Sequence, residues 1–164
     1  MASMGTTGTA NGGSALLWSG IMELAGLEES KIITVDIQNP VWNPQDQKLQ
    51  AVHPSTLCLF QGDTLDPDLV TTISAAAATK RVVMVTLDSG HNMEHVLKEM
   101  EKYCPLVTVG AYCIVEDTKM SRWHSTGPLM AVKAFLEKHR EFESDRSREL
   151  MYTHHSMGYL KRIK

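Results

Sequence analysis

From Ser14 onward, apolar residues recur at helical spacing. Ala15, Leu16, Trp18, Ile21, Met22, Leu24 and Ala25 trace one face of a helix, with Ser14 as its expected cap and Gly26 as its stop. A short β-branched run, KIITVD (31–36), follows, and a second, STLCLFQGD (55–63), again ends on a carboxylate. Residues 66–80 read as an Ala-rich helix with Leu69, Val70 and Ile73 on one face. KRVVMVTLD (80–88) is apolar at nearly every position, as a strand covered on both faces would be. Residues 91–104 are amphipathic, with Met93, Val96, Leu97, Met100 and Tyr103 in line. AYCIVED (111–117) is another apolar strand ending in acids, and 127–140 is a helix with Leu129, Val132, Phe135 and Leu136 inward. The tail, LMYT (150–153), Gly158 and YLKRI (159–163), predicts a closing antiparallel hairpin.

Strands alternate with helices, so the predicted class is α/β with a mostly parallel sheet. Right-handed crossovers place the loops that follow the strands on one edge, where such sheets bind ligands. Four acid positions fall there: Asp36, Asp63, Asp88 and the pair Glu116–Asp117. Asp88 and Glu116–Asp117 follow the two most apolar strands, which one helix joins. Neighbouring strands lie about 4.8 Å apart, close enough for these three carboxyl groups to converge. Converging carboxylates repel one another without a cation, and hard oxygen donors suit Mg²⁺ or Ca²⁺ better than zinc. The alternative for the same acids is two helix caps and a solvated side chain.

Residues 8–14, Gly-Thr-Ala-Asn-Gly-Gly-Ser, open the first helix as nucleotide-type loops do. They match neither the dinucleotide fingerprint nor the phosphate loop, and alone they discriminate little. Asp36 ends the next strand, where an acid accepts bonds from ribose hydroxyls. Loop and acid together favour an adenosine-containing ligand without a phosphate anchor. His154 and His155, read as adjacent strand residues on opposite faces, are expected to be structural.

Composition narrows the field. The 164 residues suffice for one domain with an apolar core. Sixteen basic against nineteen acidic residues, net −3, argue against a nucleic-acid binder or a polybasic membrane patch. No apolar stretch is long enough for a bilayer span. Three separated cysteines, Cys58, Cys104 and Cys113, fit a reducing compartment, so a cytoplasmic location is expected. Residues 1–13 carry small uncharged side chains, giving an expected division into a flexible leader with part of the glycine loop (1–13) and a single domain (14–164).

The run GTANGGSALLW, then VDI, QGDT, LDSGHNMEHVLKEMEKYCPLVTVGAYCIVEDT and GPLMAVKAFL resembles the cephalosporin hydroxylase and rhamnosyl O-methyltransferase family over about residues 8–163. Residues 88–118 are the most specific part. The resemblance implies a Rossmann-like class I methyltransferase that uses S-adenosylmethionine and Mg²⁺ or another divalent cation, acting on a small-molecule or glycoside hydroxyl. By resemblance, Asp88, Glu116 and Asp117 hold the metal. Gly8, Gly12, Gly13 and Ser14 hold the methionine end of the cofactor, Asp36 its ribose, and Asp63 or Thr64 its adenine. His91, three residues after the first metal ligand as in catechol-type O-methyltransferases, would be the base, since histidine exchanges protons near neutral pH.

The chain also departs from that pattern. Members place a strand before the glycine loop, ending in an acid two residues ahead of its first glycine; here that position is Thr6. MASMG is a poor central strand, so the first strand and the N-terminal helices are expected to be missing, and an unfilled sheet would favour self-association. A catalytically silent binding or assembly module on the same fold is therefore the competing reading. An NAD-linked oxidoreductase is disfavoured by the glycine spacing, and a serine hydrolase by the lack of a G-x-S-x-G elbow.

Overall fold

The computed structural model describes residues 2–27, 29–38, 56–122, 126–149 and 153–164. Among the described residues, seven strands and four α-helices fall into two compact units, Met1–Val83 and Met84–Lys164.

The first unit begins with a strand where the sequence predicts none. Ala2–Thr7 is a strand, β1, lying inside the stretch read as a leader. It pairs in parallel with β2 (Lys31–Asp36), from Ser3 opposite Lys31 to Thr7 opposite Val35. The expectation of a missing first strand is thereby corrected. Its small side chains carry little strand propensity, but context overrides propensity. Ser3, Met4, Thr6 and Thr7 are all buried, and the ladder to β2 takes up the backbone groups that face it. β2 is buried from Ile32 to Val35 and pairs on its other side, again in parallel, with β3 (Leu57–Gln61).

Helix α1 spans Gly13–Leu24, and its cap is Gly12 in a left-handed conformation, not Ser14. It buries Ala15 and Met22 and leaves Leu17, Ile21 and Leu24 exposed. Helix α2 (Pro67–Ala78) is capped by Asp66, whose side chain accepts from the backbone of Asp68 and Leu69. Pro67 sits at its first position, where its missing N–H costs nothing.

The boundary between the units falls inside β4 (Val82–Leu87). In the second unit β4 pairs in parallel with β5 (Tyr112–Val115). Then β5 pairs antiparallel with β7 (Tyr159–Arg162), which pairs antiparallel with β6 (Phe142–Ser144). An antiparallel C-terminal pair is therefore present, but its first strand is Phe142–Ser144. Of the expected LMYT strand, residues 150–152 lie outside the described residues and Thr153 is not in a strand. Phe142 makes β6 the better partner: it is buried and meets Phe135 edge-on, with ring centroids 5.5 Å apart.

Helices α3 (Met93–Tyr103) and α4 (Pro128–Lys138) supply the rest of this core through Val96, Met100 and Tyr103 on α3 and Ala131, Val132 and Phe135 on α4. Cys104 and Cys113, read from their spacing as separate cysteines of a reducing compartment, are instead disulfide-bonded and fully buried, tying the end of α3 to β5, so only Cys58 is a free thiol. No helix among the described residues is long and apolar enough to cross a membrane.

Candidate active site

In the first unit, the glycine loop joins β1 to α1. Gly8 (φ 78°) donates its N–H to the Val35 carbonyl at 2.9 Å, and Thr9 Oγ1 pairs with Thr34 Oγ1 at 2.6 Å. Ala10, left-handed at φ 41°, donates its N–H to Asp36 Oδ2 at 2.8 Å. Asp36 Oδ1 accepts from Gln38 N at 3.0 Å. The Asp36 carboxylate thus fastens the loop to the end of β2, and each oxygen keeps a second lone pair for a ligand hydroxyl. The Asp36 carbonyl also accepts from Gly62 N at 2.9 Å, which draws the end of β3 to the same place. Asp63 forms a local turn, accepting from Leu65 N at 2.9 Å, and Thr64 beside it is buried. Gly12 is left-handed at φ 76° and caps α1 without a side-chain bond, so the first N–H groups of the helix are left to other partners. A Cβ on Gly13 would meet nothing within 4 Å, and Ser14 is a residue of the first helical turn.

The acids and His91 lie in the second unit. Asp88 follows the end of β4, and the turn after it leads into α3, capped by Asn92, whose side chain accepts from His95 N at 3.0 Å. Ser89 Oγ donates to Glu99 Oε1 at 2.7 Å and lies 3.1 Å from His95 Nε2. Glu99 is fully buried, so this bond pins the turn to the first part of α3. A Cβ on Gly90 would come within 3.1 Å of the His95 ring, so a side chain there would require the ring to shift.

At the end of β5, Glu116 N–H donates to the Leu87 carbonyl at 3.0 Å, bringing the acidic pair level with Asp88. Consecutive strand residues point to opposite faces. The chain escapes that alternation at Asp117, which is left-handed at φ 50°. The result is a cluster: His91 Nε2 is 3.5 Å from Asp88 Oδ1 and 3.5 Å from Asp117 Oδ2, and one donor atom of each residue lies within 4.8 Å of the others. Glu116 stands at the edge of this group, with Oε2 3.7 Å from His155 Nε2.

The electrostatics match the crowding. Burial pushes the Asp88 carboxyl above its usual 3.8; the hydrogen bond to His91 opposes this, and the Asp117 charge adds to it. Burial, reinforced by the charges of Asp88 and Asp117, pushes Glu116 up to about 7. Acids so crowded that their neighbours' charges push the Asp88 and Glu116 carboxyls up are a donor set suited to a hard divalent cation, which would relieve the repulsion. The residues present therefore fit the metal expected from the sequence.

His155 is the residue that the sequence reading missed. It lies in a turn rather than a strand, so strand alternation does not apply to it. Its Nδ1 accepts the Asp117 N–H at 3.0 Å, and burial holds its imidazole below 6.5 despite the nearby Asp117 and Asp88 charges. Ser89, His95 and Glu99 were likewise not singled out. Their spacing of six and four residues across the start of a helix is the signal that could have shown them.

Family comparison settles what this arrangement belongs to. The family model for rhamnosyl O-methyltransferase/CmcI matches residues 5–163. The chain belongs to the rhamnosyl O-methyltransferase/CmcI family. A rhamnosyl O-methyltransferase of Mycobacterium bovis is 30% identical over 149 residues, 87% of this chain and 58% of that protein. One from Mycobacterium leprae is 28% identical over 167 residues, 94% of this chain and 69% of that protein. The chain thus spans 58% of the length of the first of these relatives. Among solved structures, the MycE methyltransferase with Mg, SAH and mycinamycin VI superposes with a TM-score of 0.67 at 16% identity, covering 99% of this chain and 45% of that one. The O-methyltransferase NovP gives 0.66 at 17% identity, over 99% and 72% respectively. The fold is that of the class I S-adenosylmethionine-dependent methyltransferases, mostly parallel with antiparallel strands at the C-terminal end.

Proposed function

We propose that this chain is an S-adenosylmethionine-dependent O-methyltransferase, or the part of one that carries its chemistry, acting on a hydroxyl of a small molecule or glycoside with the help of a divalent cation. The observation that carries the proposal is the convergence of Asp88, His91 and Asp117, with Glu116 beside them, on a family member of this fold. Family names that specify a sugar acceptor favour a glycoside hydroxyl. A small-molecule acceptor also accords with the net negative charge, which disfavours nucleic acid.

In this reading Asp88, Asp117 and Glu116 hold the cation, preferably Mg²⁺. When bound, it would withdraw charge from the acceptor hydroxyl and lower its pKa. His91 takes the hydroxyl proton on Nδ1, while its Nε2–H faces both carboxylates at 3.5 Å. Those carboxylates stabilise the imidazolium that forms, and they orient the ring before the proton moves. In the first unit, Asp36 holds the glycine loop and offers its remaining lone pairs to the cofactor's ribose. Gly8, Gly12, Gly13 and Ser14 would face its methionine end, and Asp63 or Thr64 its adenine.

Calorimetry of the full chain with S-adenosylhomocysteine, with and without Mg²⁺, tests the reading. The expected result is cofactor binding by wild type and by Asp88→Ala, with methyl transfer abolished only in the variant. Metal-independent turnover would remove the cation from the mechanism. Undetectable cofactor binding would replace the enzyme with the silent-module reading.

A further inference from the structure

We propose that His155 is a positioning residue for the acidic pair: its imidazole holds the Asp117 backbone in the left-handed turn and so sets the direction of the Glu116 and Asp117 carboxylates. The use of those carboxylates in cation binding rests on the reading above; the support His155 gives them does not.

Two neighbouring acids at a strand end cannot both face one ligand while the backbone stays extended. Here the change of direction is made at Asp117, at φ 50°, a left-handed conformation that Asp adopts more readily than most residues with a Cβ but that still benefits from a partner on its N–H. Because His155 Nδ1 accepts the Asp117 N–H at 3.0 Å, the ring's proton resides on Nε2 in the neutral form. That N–H lies 3.7 Å from Glu116 Oε2. One ring therefore addresses the backbone of one acid and the carboxylate of the other.

The ring is itself held. His155 N–H donates to Thr153 Oγ1 at 3.1 Å, and its carbonyl accepts from Gly158 N at 2.8 Å. On either side, the His154 carbonyl accepts from Lys119 N at 3.0 Å and the Ser156 carbonyl accepts from Thr118 Oγ1 at 2.7 Å. The turn at 153–158 thus clasps residues 117–119 through three successive residues, with His155 in the middle. A histidine that merely filled space would need no such alignment of its Nδ1.

The test separates the two ring nitrogens. Asparagine places its amide oxygen where Nδ1 stands, whereas glutamine reaches the Nε2 position. Mn²⁺ titration of the full chain, read by electron paramagnetic resonance, is expected to give His155→Asn an affinity near wild type. His155→Gln and His155→Ala should bind at least about tenfold more weakly, the usual consequence of losing an outer partner of a metal ligand. In parallel, long-range ¹H–¹⁵N spectra of metal-free wild type should show His155 protonated on Nε2, and Asp117 amide exchange should accelerate in the Gln variant but not in the Asn variant. A proton on Nδ1, or Asp117 exchange unchanged in the Gln variant, overturns the proposal. Equal Mn²⁺ affinity of the Asn and Gln variants overturns it as well. Should wild type bind no Mn²⁺, the cation reading fails, and the tautomer and the Asp117 exchange still decide the role of His155. Since the wild-type spectrum is one arm, a variant that fails to fold does not remove the test.

Discussion

Replacing Gly158 with alanine is the sharpest single perturbation that the structure offers. Gly158 lies just before β7, and a Cβ there would overlap the Val115 carbonyl oxygen, with His155 O at 3.0 Å and Thr118 Cγ2 at 3.3 Å. The overlapped atom is backbone of the last residue of β5, so no side chain can swing aside. Relief requires Gly158 to move off β5, which breaks the bond from Val115 N to Gly158 O (2.9 Å) and strains that from Gly158 N to His155 O (2.8 Å). One to two hydrogen bonds at about 1 kcal/mol each, with overpacking of about 1–3 kcal/mol, give a loss of about 2–5 kcal/mol. For a chain of this size that corresponds to a fall in Tm of roughly 10 °C. Thermal melts followed by circular dichroism would measure it, with Gly20→Ala as the control: it lies within α1, nothing stands within 4 Å of its Cβ, and alanine there should stabilise by about 1 kcal/mol. A Gly158→Ala melt within about 2 °C of wild type would refute the packing described for this junction.

Asp36→Ala removes the acceptor of both Ala10 N and Gln38 N, so affinity for S-adenosylhomocysteine should fall at least about tenfold by calorimetry, while Asp68→Ala at the start of α2 leaves it unchanged. Burial pushes the His139 imidazole down, but hydrogen bonds to Glu141 and Glu101, at 2.9 and 2.8 Å, outweigh this and hold its pKa above 6.5. The folded state therefore keeps the proton more tightly than the unfolded one, so this stabilisation is complete below pH 6.5 and is lost as pH rises through the folded value. The gap in urea midpoint between wild type and His139→Gln should shrink from about pH 6 to about pH 8.5, and a pH-independent gap would contradict it. Reducing the Cys104–Cys113 bond, with a sequence separation of nine, should cost about 2.5 kcal/mol on loop entropy, read as a lower Tm in reductant that Cys58→Ser does not change.

What the sequence made legible followed apolar density. β4 and β5 announce themselves because they are apolar at nearly every position, and α3 because its buried Val96, Met100 and Tyr103 keep helical spacing. The position of Asp88, His91 and Asp117 at the ends of those elements then follows from topology alone. β1 was illegible because Ala2, Ser3 and Gly5 carry little strand propensity, and the ladder to β2 that holds it joins residues far apart in sequence. The partner of β7 was misread because Phe142–Ser144 is three residues long and draws its stability from Phe135. His155 was set aside because strand alternation was applied to a turn, and no local pattern reveals that Asp117 needs an acceptor 38 residues away.

That distance along the chain has a consequence for synthesis. A polypeptide emerging from the ribosome presents Glu116 and Asp117 well before residues 153–158 exist to clasp them. The acidic end of β5 is thus completed only by residues made about 38 positions later, and a nascent chain halted near Glu149 would hold its carboxylates without the turn that aims them.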